Sequence, residues 1–172
     1  LGAMGSTNPL EYLTVTSTSL TTLGGNITTD DQTGTGTVDL SGATGGISLS
    51  ASVTIDSDGD ADNSGGDIDL SGSAVNPTVS GTQDLTIAAG FGDGNGGEVT
   101  LGNLGSGTDF GDITLTTDGT TTFTGTTINT DGGDVNLQSA PTVVISGSIL
   151  TIDTEDNNDL AAGNVYLTDA TN

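Results

Sequence analysis

The sequence predicts an all-β chain whose short strands stack as a solenoid, and three observations predict it. Val, Ile and Leu alternate with single Thr, Ser or Asp residues, as in Leu13-Thr14-Val15 and Val99-Thr100-Leu101, which is the period-two pattern of a strand with one buried face. Between these runs lie 29 glycines and many Asn and Asp residues, the punctuation of turns. The third observation is repetition: a short strand, an acidic or Gly-rich loop, then a Gly-Gly-like pair opening another short strand.

In chain order, Leu13-Thr14-Val15 is the first alternating run, and Ile27 to Val38-Asp39-Leu40 is a loose copy of the unit. Val53-Thr54-Ile55 runs through an acidic loop to Gly65-Gly66-Asp67-Ile68-Asp69-Leu70. Leu85-Thr86-Ile87 leads to Gly96-Gly97-Glu98-Val99-Thr100-Leu101. Gly111-Asp112-Ile113-Thr114-Leu115 follows. Thr127-Ile128-Asn129 leads to Gly132-Gly133-Asp134-Val135-Asn136-Leu137, and Leu150-Thr151-Ile152 to Ala162-Gly163-Asn164-Val165-Tyr166-Leu167. No segment carries a sustained helical stripe.

A longer register is also present. Ile47, Ile68 and Val99 match Ile113, Val135 and Val165 at offsets of 66 or 67 residues, and Pro77-Thr78-Val79 matches Pro141-Thr142-Val143. This predicts an internal duplication, 45–101 and 111–167, within a single solenoid segment spanning 7–172. Residues 1–6, Leu1-Gly2-Ala3-Met4-Gly5-Ser6, read as a protease-cleavage scar left by an expression vector. The twelve residues Ile47, Leu49, Ile68, Leu70, Val99, Leu101, Ile113, Leu115, Val135, Leu137, Val165 and Leu167 are expected to point inward. A β-sandwich is the alternative, although half of this chain is short for one such domain.

Composition excludes more than the motifs suggest. The chain has 23 acidic residues and no Lys, Arg, His or Cys, a formal net charge of -23. No side-chain salt bridge can form, so each carboxylate needs water, a hydroxyl, a backbone N–H or a bound cation. Nucleic acid is excluded as a direct partner because nothing neutralises phosphate, and membrane insertion because no apolar run approaches ~20 residues. Catalysis is not expected: without His, Lys, Arg or Cys there is no nucleophile–base pair and no cationic oxyanion donor. A carboxylate pair is the one remaining device, and aromatic platforms are scarce, with no Trp, two Tyr and three Phe. Absence of Cys, and of any trypsin-type cleavage site, tilts localisation toward the cell exterior.

The sharpest local feature is Asp56-Ser57-Asp58-Gly59-Asp60-Ala61-Asp62-Asn63-Ser64-Gly65-Gly66-Asp67. Its alternate carboxylates resemble calcium loops, in which a hard cation gathers 6 to 8 oxygens. Asp56, Asp58, Asp60, Asp62 and Asp67 are the candidate ligands and Ca²⁺ the candidate cofactor. Two carboxylates about 4 Å apart at an effective dielectric of 20 repel by ~4 kcal/mol. Either the loop splays into water as a solvated corner, or a cation collects it. Asp153, Glu155, Asp156 and Asp159 occupy the corresponding loop of a later copy with poorer spacing, where plain solvation is expected. Thr120 to Thr127 offers a Thr array of the kind ice-binding solenoids use, but ice binding would need it repeated in register on successive coils, whose strands carry mixed Thr, Ser, Asp and Asn, so ordinary strand propensity is the favoured account.

The phrases Asn26-Ile27-Thr28-Thr29-Asp30-Asp31, Gly65 to Leu70, Gly111 to Leu115 and Ile128 to Val135 resemble the repeats of filamentous-haemagglutinin-like exoproteins and other very large bacterial surface adhesins. The resemblance implies a right-handed parallel β-helix forming an extracellular stalk, with neighbouring coils of a longer parent protein as partners. The alternative function is a calcium-dependent binding module, with a surface glycan or a host or cell-surface ligand as partner.

Overall fold

The structure is a computed structural model and describes residues 1–30, 35–59, 64–78, 80–92, 94–147, 149–155 and 161–167. Among these residues there is no helix, and so none long and apolar enough to cross a membrane. The described residues form seventeen short strands, arranged as a β-solenoid with three faces.

The first face stacks β1 (Leu13–Thr14), β4 (Val38–Asp39), β7 (Ile68–Leu70), β10 (Val99–Leu101), β12 (Thr120–Phe123) and β15 (Thr142–Ile145) in that order. On the second face β2 (Thr21–Leu23), β5 (Ile47–Leu49) and β8 (Val75–Pro77) are followed by a single bridging residue, Leu104, and then by β13 (Thr127–Asn129) and β16 (Thr151–Asp153). The third face stacks β3 (Ile27–Thr28), β6 (Val53–Asp56), β9 (Leu85–Ala88), β11 (Ile113–Thr116), β14 (Val135–Ser139) and β17 (Val165–Tyr166). Among the described residues every pairing between these strands is parallel, which rules out the antiparallel sandwich. The chain passes each face once per coil, and six strands on the first face span five turns.

Alternation builds the interior. Val38, Ile68, Val99, Thr121 and Val143 stand in one register column, and Val53, Leu85, Ile113, Val135 and Val165 in another. Ten of the twelve residues expected inside are buried, from Ile47 to Leu137, each worth about 1.5–3 kcal/mol relative to exposure. Val165 and Leu167 differ, being 41% and 60% exposed, because their coil has no following coil packed on it.

Glycine marks the corners for a steric reason. A Cβ on Gly97 would collide with the carbonyl of Gly66, one on Gly119 with that of Gly97, and one on Gly66 with the Thr35–Gly36 backbone. The same stacking recurs through Gly102 and Gly125 at another corner and through Gly111, Gly133 and Gly163 at the last. These corners lay backbone directly on backbone.

The 66-residue register has an unexpected placement. Ile47 lies on the second face and Ile113 on the third, while Ile68 and Val99 lie on the first and Val135 and Val165 on the third. The strand, loop, Gly-Gly, strand unit bridges the third face to the first at 53–70 and 85–101, but the second to the third at 127–137 and 150–167. Residues 1–6 are paired onto the first coil: Gly24 N–H donates to the Leu1 carbonyl at 2.8 Å, and Met4 bridges Ile27 in parallel.

Two substitutions test this packing. Gly97→Ala should cost about 1–3 kcal/mol, since the atom it meets is backbone, whereas Gly147→Ala, whose added Cβ meets nothing nearer than 3.9 Å, should be nearly neutral in denaturant melts. Thr121 is fully buried in a column of valines and its hydroxyl has no hydrogen-bond partner. Thr121→Val should therefore raise stability by about 1–2 kcal/mol, read as a higher urea midpoint at unchanged m-value.

Candidate functional site

The acidic loop leaves the core at the end of β6, and two hydrogen bonds pinch its base. Ser57, fully buried, donates its hydroxyl to the Gly66 carbonyl at 2.6 Å, and Gly66 N–H donates to the Ser57 carbonyl at 3.2 Å. This neck recurs. The Thr29 hydroxyl donates to the Gly36 carbonyl, that of Thr130 to Gly133 at 2.7 Å, and that of Thr154 to Gly163 at 3.0 Å. Where Ala89 replaces the hydroxyl residue, the backbone bond alone remains, Gly97 N–H to Ala89 carbonyl at 2.7 Å. The recurrent unit in the sequence is thus a loop closed at its base. The Ser or Thr that closes it, buried at Thr29, Ser57 and Thr130 and partly buried at Thr154, escaped the sequence reading, although one stands just after Ile27-Thr28, Val53-Thr54-Ile55-Asp56, Ile128-Asn129 and Ile152-Asp153.

Of the five candidate ligands, the structure brings two together at this neck. Asp56 is the last residue of β6, and its Oδ1 accepts the Asp58 N–H at 3.0 Å. Asp67 lies beyond the neck, exposed, with Oδ1 accepting Glu98 N–H of the next coil at 2.8 Å. Asp60 and Asp62 lie outside the described residues. Among the described residues no group of three or more acidic side chains is arranged to hold a metal ion. In the later copy, Asp153 Oδ1 accepts Glu155 N–H at 3.1 Å, and Asp156 and Asp159 lie outside the described residues.

Backbone N–H groups are the main partners of the acids. Immediately before the third-face strands, Ser52, Asp84, Asp112, Asp134 and Asn164 form a column. Asp84 N–H donates to Ser52 Oγ at 3.0 Å, Asp112 N–H to Asp84 Oδ1 and Asp134 N–H to Asp112 Oδ1 at 2.8 Å, and Asn164 N–H to Asp134 Oδ1 at 2.6 Å. Each coil's backbone thereby binds the preceding coil's side chain. Asp118 Oδ2 likewise accepts Gly92 N–H at 2.7 Å and Gly94 N–H at 2.8 Å, tying down part of the 90–96 loop.

The first face carries an acidic depression of about 210 Å³ lined by Asp39, Asp67, Asp69 and Glu98 with Thr37 and Thr100. Three of its carboxylates are engaged. Asp39 Oδ1 accepts from Ser41 N–H at 2.9 Å and Ser41 Oγ at 2.6 Å, Asp69 Oδ1 from Ser71 N–H at 2.8 Å, and Asp67 as above. The signal for this cluster was the repeated phrase Val38-Asp39-Leu40-Ser41-Gly42 and Ile68-Asp69-Leu70-Ser71-Gly72, which parallel stacking sets side by side. The Thr array of the sequence is interrupted: Thr121 points inward, and Thr122 stands between Thr100 and Val144 on the outer surface of the first face.

Burial pushes the Asp56 carboxyl above the usual carboxylate range, while the Asp58 N–H bond pulls it partly back. Its column neighbours, Thr28 and Ala88, bring no compensating charge. A pKa raised in the folded state means that ionising Asp56 disfavours folding. Its penalty is absent below the unfolded value of 3.8 and develops as pH rises through the folded pKa. Asp56→Asn keeps the Oδ1 acceptor, so it should raise the melting temperature at neutral pH and lose that advantage below the unfolded value.

Set beside known proteins, the chain matches no family model, no curated protein and no solved structure, so the geometry of the coils and loops carries the functional reading.

Proposed function

We propose that the chain is a non-catalytic structural segment, a stalk or spacer within a large secreted bacterial surface adhesin. The observation that supports this reading is the separation between rod and loops. Three parallel ladders continue through every coil, and the recurrent loops are closed at their bases by Ser, Thr or Gly, so the loops can vary without disturbing the rod. A spacer needs reach and solubility. Parallel coils give reach at about 4.8 Å per turn, and uniform negative charge keeps neighbouring rods apart. The extracellular setting follows from the repeat texture, from zero Cys and from the lack of trypsin-type sites. Neighbouring coils of the parent protein are the proposed partners, extending the same columns.

Length set by coil number is what this reading demands. Inserting a tandem copy of 99–142, which returns the chain to the same point of the first face, should lengthen the particle by about 10 Å in small-angle scattering. It should leave the melting temperature equal or higher. A particle that unfolds or fails to lengthen would remove the stalk reading.

The second reading, a calcium-dependent binding module, is favoured by one observation, the half-buried Asp56 beside Asp58 at the neck of the acidic loop. A cation bound only by the folded state adds about 2.7 kcal/mol at 100 times its dissociation constant. On this reading millimolar Ca²⁺ raises the melting temperature beyond Mg²⁺ at matched ionic strength, and Asp58→Asn with Asp60→Asn abolishes the increment. Equal shifts with both ions would leave the loop a solvated corner.

A further inference from the structure

Among the described residues, ten large apolar side chains are exposed, and nine of them belong to the two ends of the rod; Phe91 is the exception. The ends are not alike. At the start, Met4 and Leu10 bridge to Ile27 and Thr29, and Met4, Leu13 and Val15 pack against the core, leaving Leu1, Tyr12 and Leu20 exposed. At the far end, β15, β16 and β17 each have a strand partner on one side only among the described residues. There Leu137, Val143, Ile145, Leu150, Ile152 and Leu167 line an open apolar cavity of about 230 Å³.

Charge identifies the occupant. Residues 135–152, which supply five of the six residues lining that cavity, include no acid in a chain of net charge -23, and the acids of the last coil begin at Asp153. Two copies meeting along their sides would bring carboxylates together with no cation on either. Meeting at this end, they would bring the acid-free cavity linings together and leave most of the acidic flanks apart. We propose that this end is a self-association surface, joining two copies end to end about a two-fold axis. The inference does not rest on the stalk reading; it concerns what the chain does when no further coil covers it.

A two-fold contact uses the same patch on both copies and closes at two. Strands of at most 5 residues, at ~3.3 Å each, bound an end face of only a few hundred Å², well under the ~800 Å² per partner of a standard interface. The dimer is therefore weak, and it strengthens with salt as repulsion between the flanks is screened.

The test is sedimentation equilibrium of the full chain from ~10 µM to ~1 mM, a range suited to a contact this small. The expected result is a monomer–dimer equilibrium that saturates at two copies, with a dissociation constant several-fold lower in high salt. Ile145→Asp, a half-exposed site, should be monomeric throughout with an unchanged far-UV spectrum. Because the chain has no Cys, single spin labels report the geometry without disturbing the end. A label at Thr142→Cys should give a short inter-copy distance and one at Thr22→Cys should not. A monomer at every concentration, growth beyond two copies, or a short distance only for the Thr22 label would each overturn the proposal.

Discussion

Coil-on-coil hydrogen bonding is the constraint on which the rest of this structure depends. Parallel stacking at about 4.8 Å places each residue beside its equivalent one turn earlier and one turn later, so a choice made once is repeated along the rod. An apolar residue becomes a core column, as Val53, Leu85, Ile113 and Val135 show. A tight corner becomes a stack of backbones, which is why glycine recurs at Gly66, Gly97 and Gly119, where any side chain would enter a neighbouring carbonyl. A carboxylate becomes a row of like charges. Two carboxylates one strand apart repel by about 1 kcal/mol in water and about 3 kcal/mol at an effective dielectric of 20.

With no cationic side chain available, the fold answers that repulsion with backbone donors. A hydrogen bond to a charged acceptor contributes about 1.5–3 kcal/mol, enough to offset one such repulsion. Asp84, Asp112 and Asp134 show the arrangement: each takes the N–H of the next member of its own column, so the geometry that aligns the charges also supplies their partners. Asp39 and Asp69 use a local form, accepting from Ser41 and Ser71 two residues on. Asp56 follows that local form too, but half-buried among uncharged column neighbours, and burial raises its carboxyl above the usual range.

Much of the fold was legible in the sequence because alternation and glycine placement have local causes. Ten inward residues between Ile47 and Leu137 could be named from the alternating strands of the repeated unit and their offsets near 66. Assignment to faces was not legible. The same strand, loop, Gly-Gly phrase serves two different corners, so matching Ile68 with Val135 aligns a first-face strand with a third-face one. Composition cannot distinguish corners, because each presents the same steric demand for glycine and the same vacancy for a hydroxyl. The exposure of Val165 and Leu167 was illegible for another reason: burial there depends on a neighbour above rather than on their own pattern. In the candidate site the adjacency of Asp56 and Asp58 was readable from spacing. The departure of Asp67 toward Glu98 was not, since it is set by the next coil.

The necks show how such a chain carries so many acids and still stacks. A ladder position must match its neighbours in size, charge and donor supply, which limits the carboxylates it can hold. Beyond a neck such as Ser57 with Gly66 the coil is already closed, and the described loop residues make single ties to neighbouring coils, such as Gly59 N–H to the Thr29 carbonyl at 2.9 Å. Cross-coil bonds show the resulting latitude: Asp134 and Asp112 are 22 residues apart, Asn164 and Asp134 are 30, yet the same bond joins both pairs. Surplus residues are absorbed as loop. Acidity and length can therefore vary at the corners while the three ladders keep their register, and that division makes a rod of this kind extensible by whole coils.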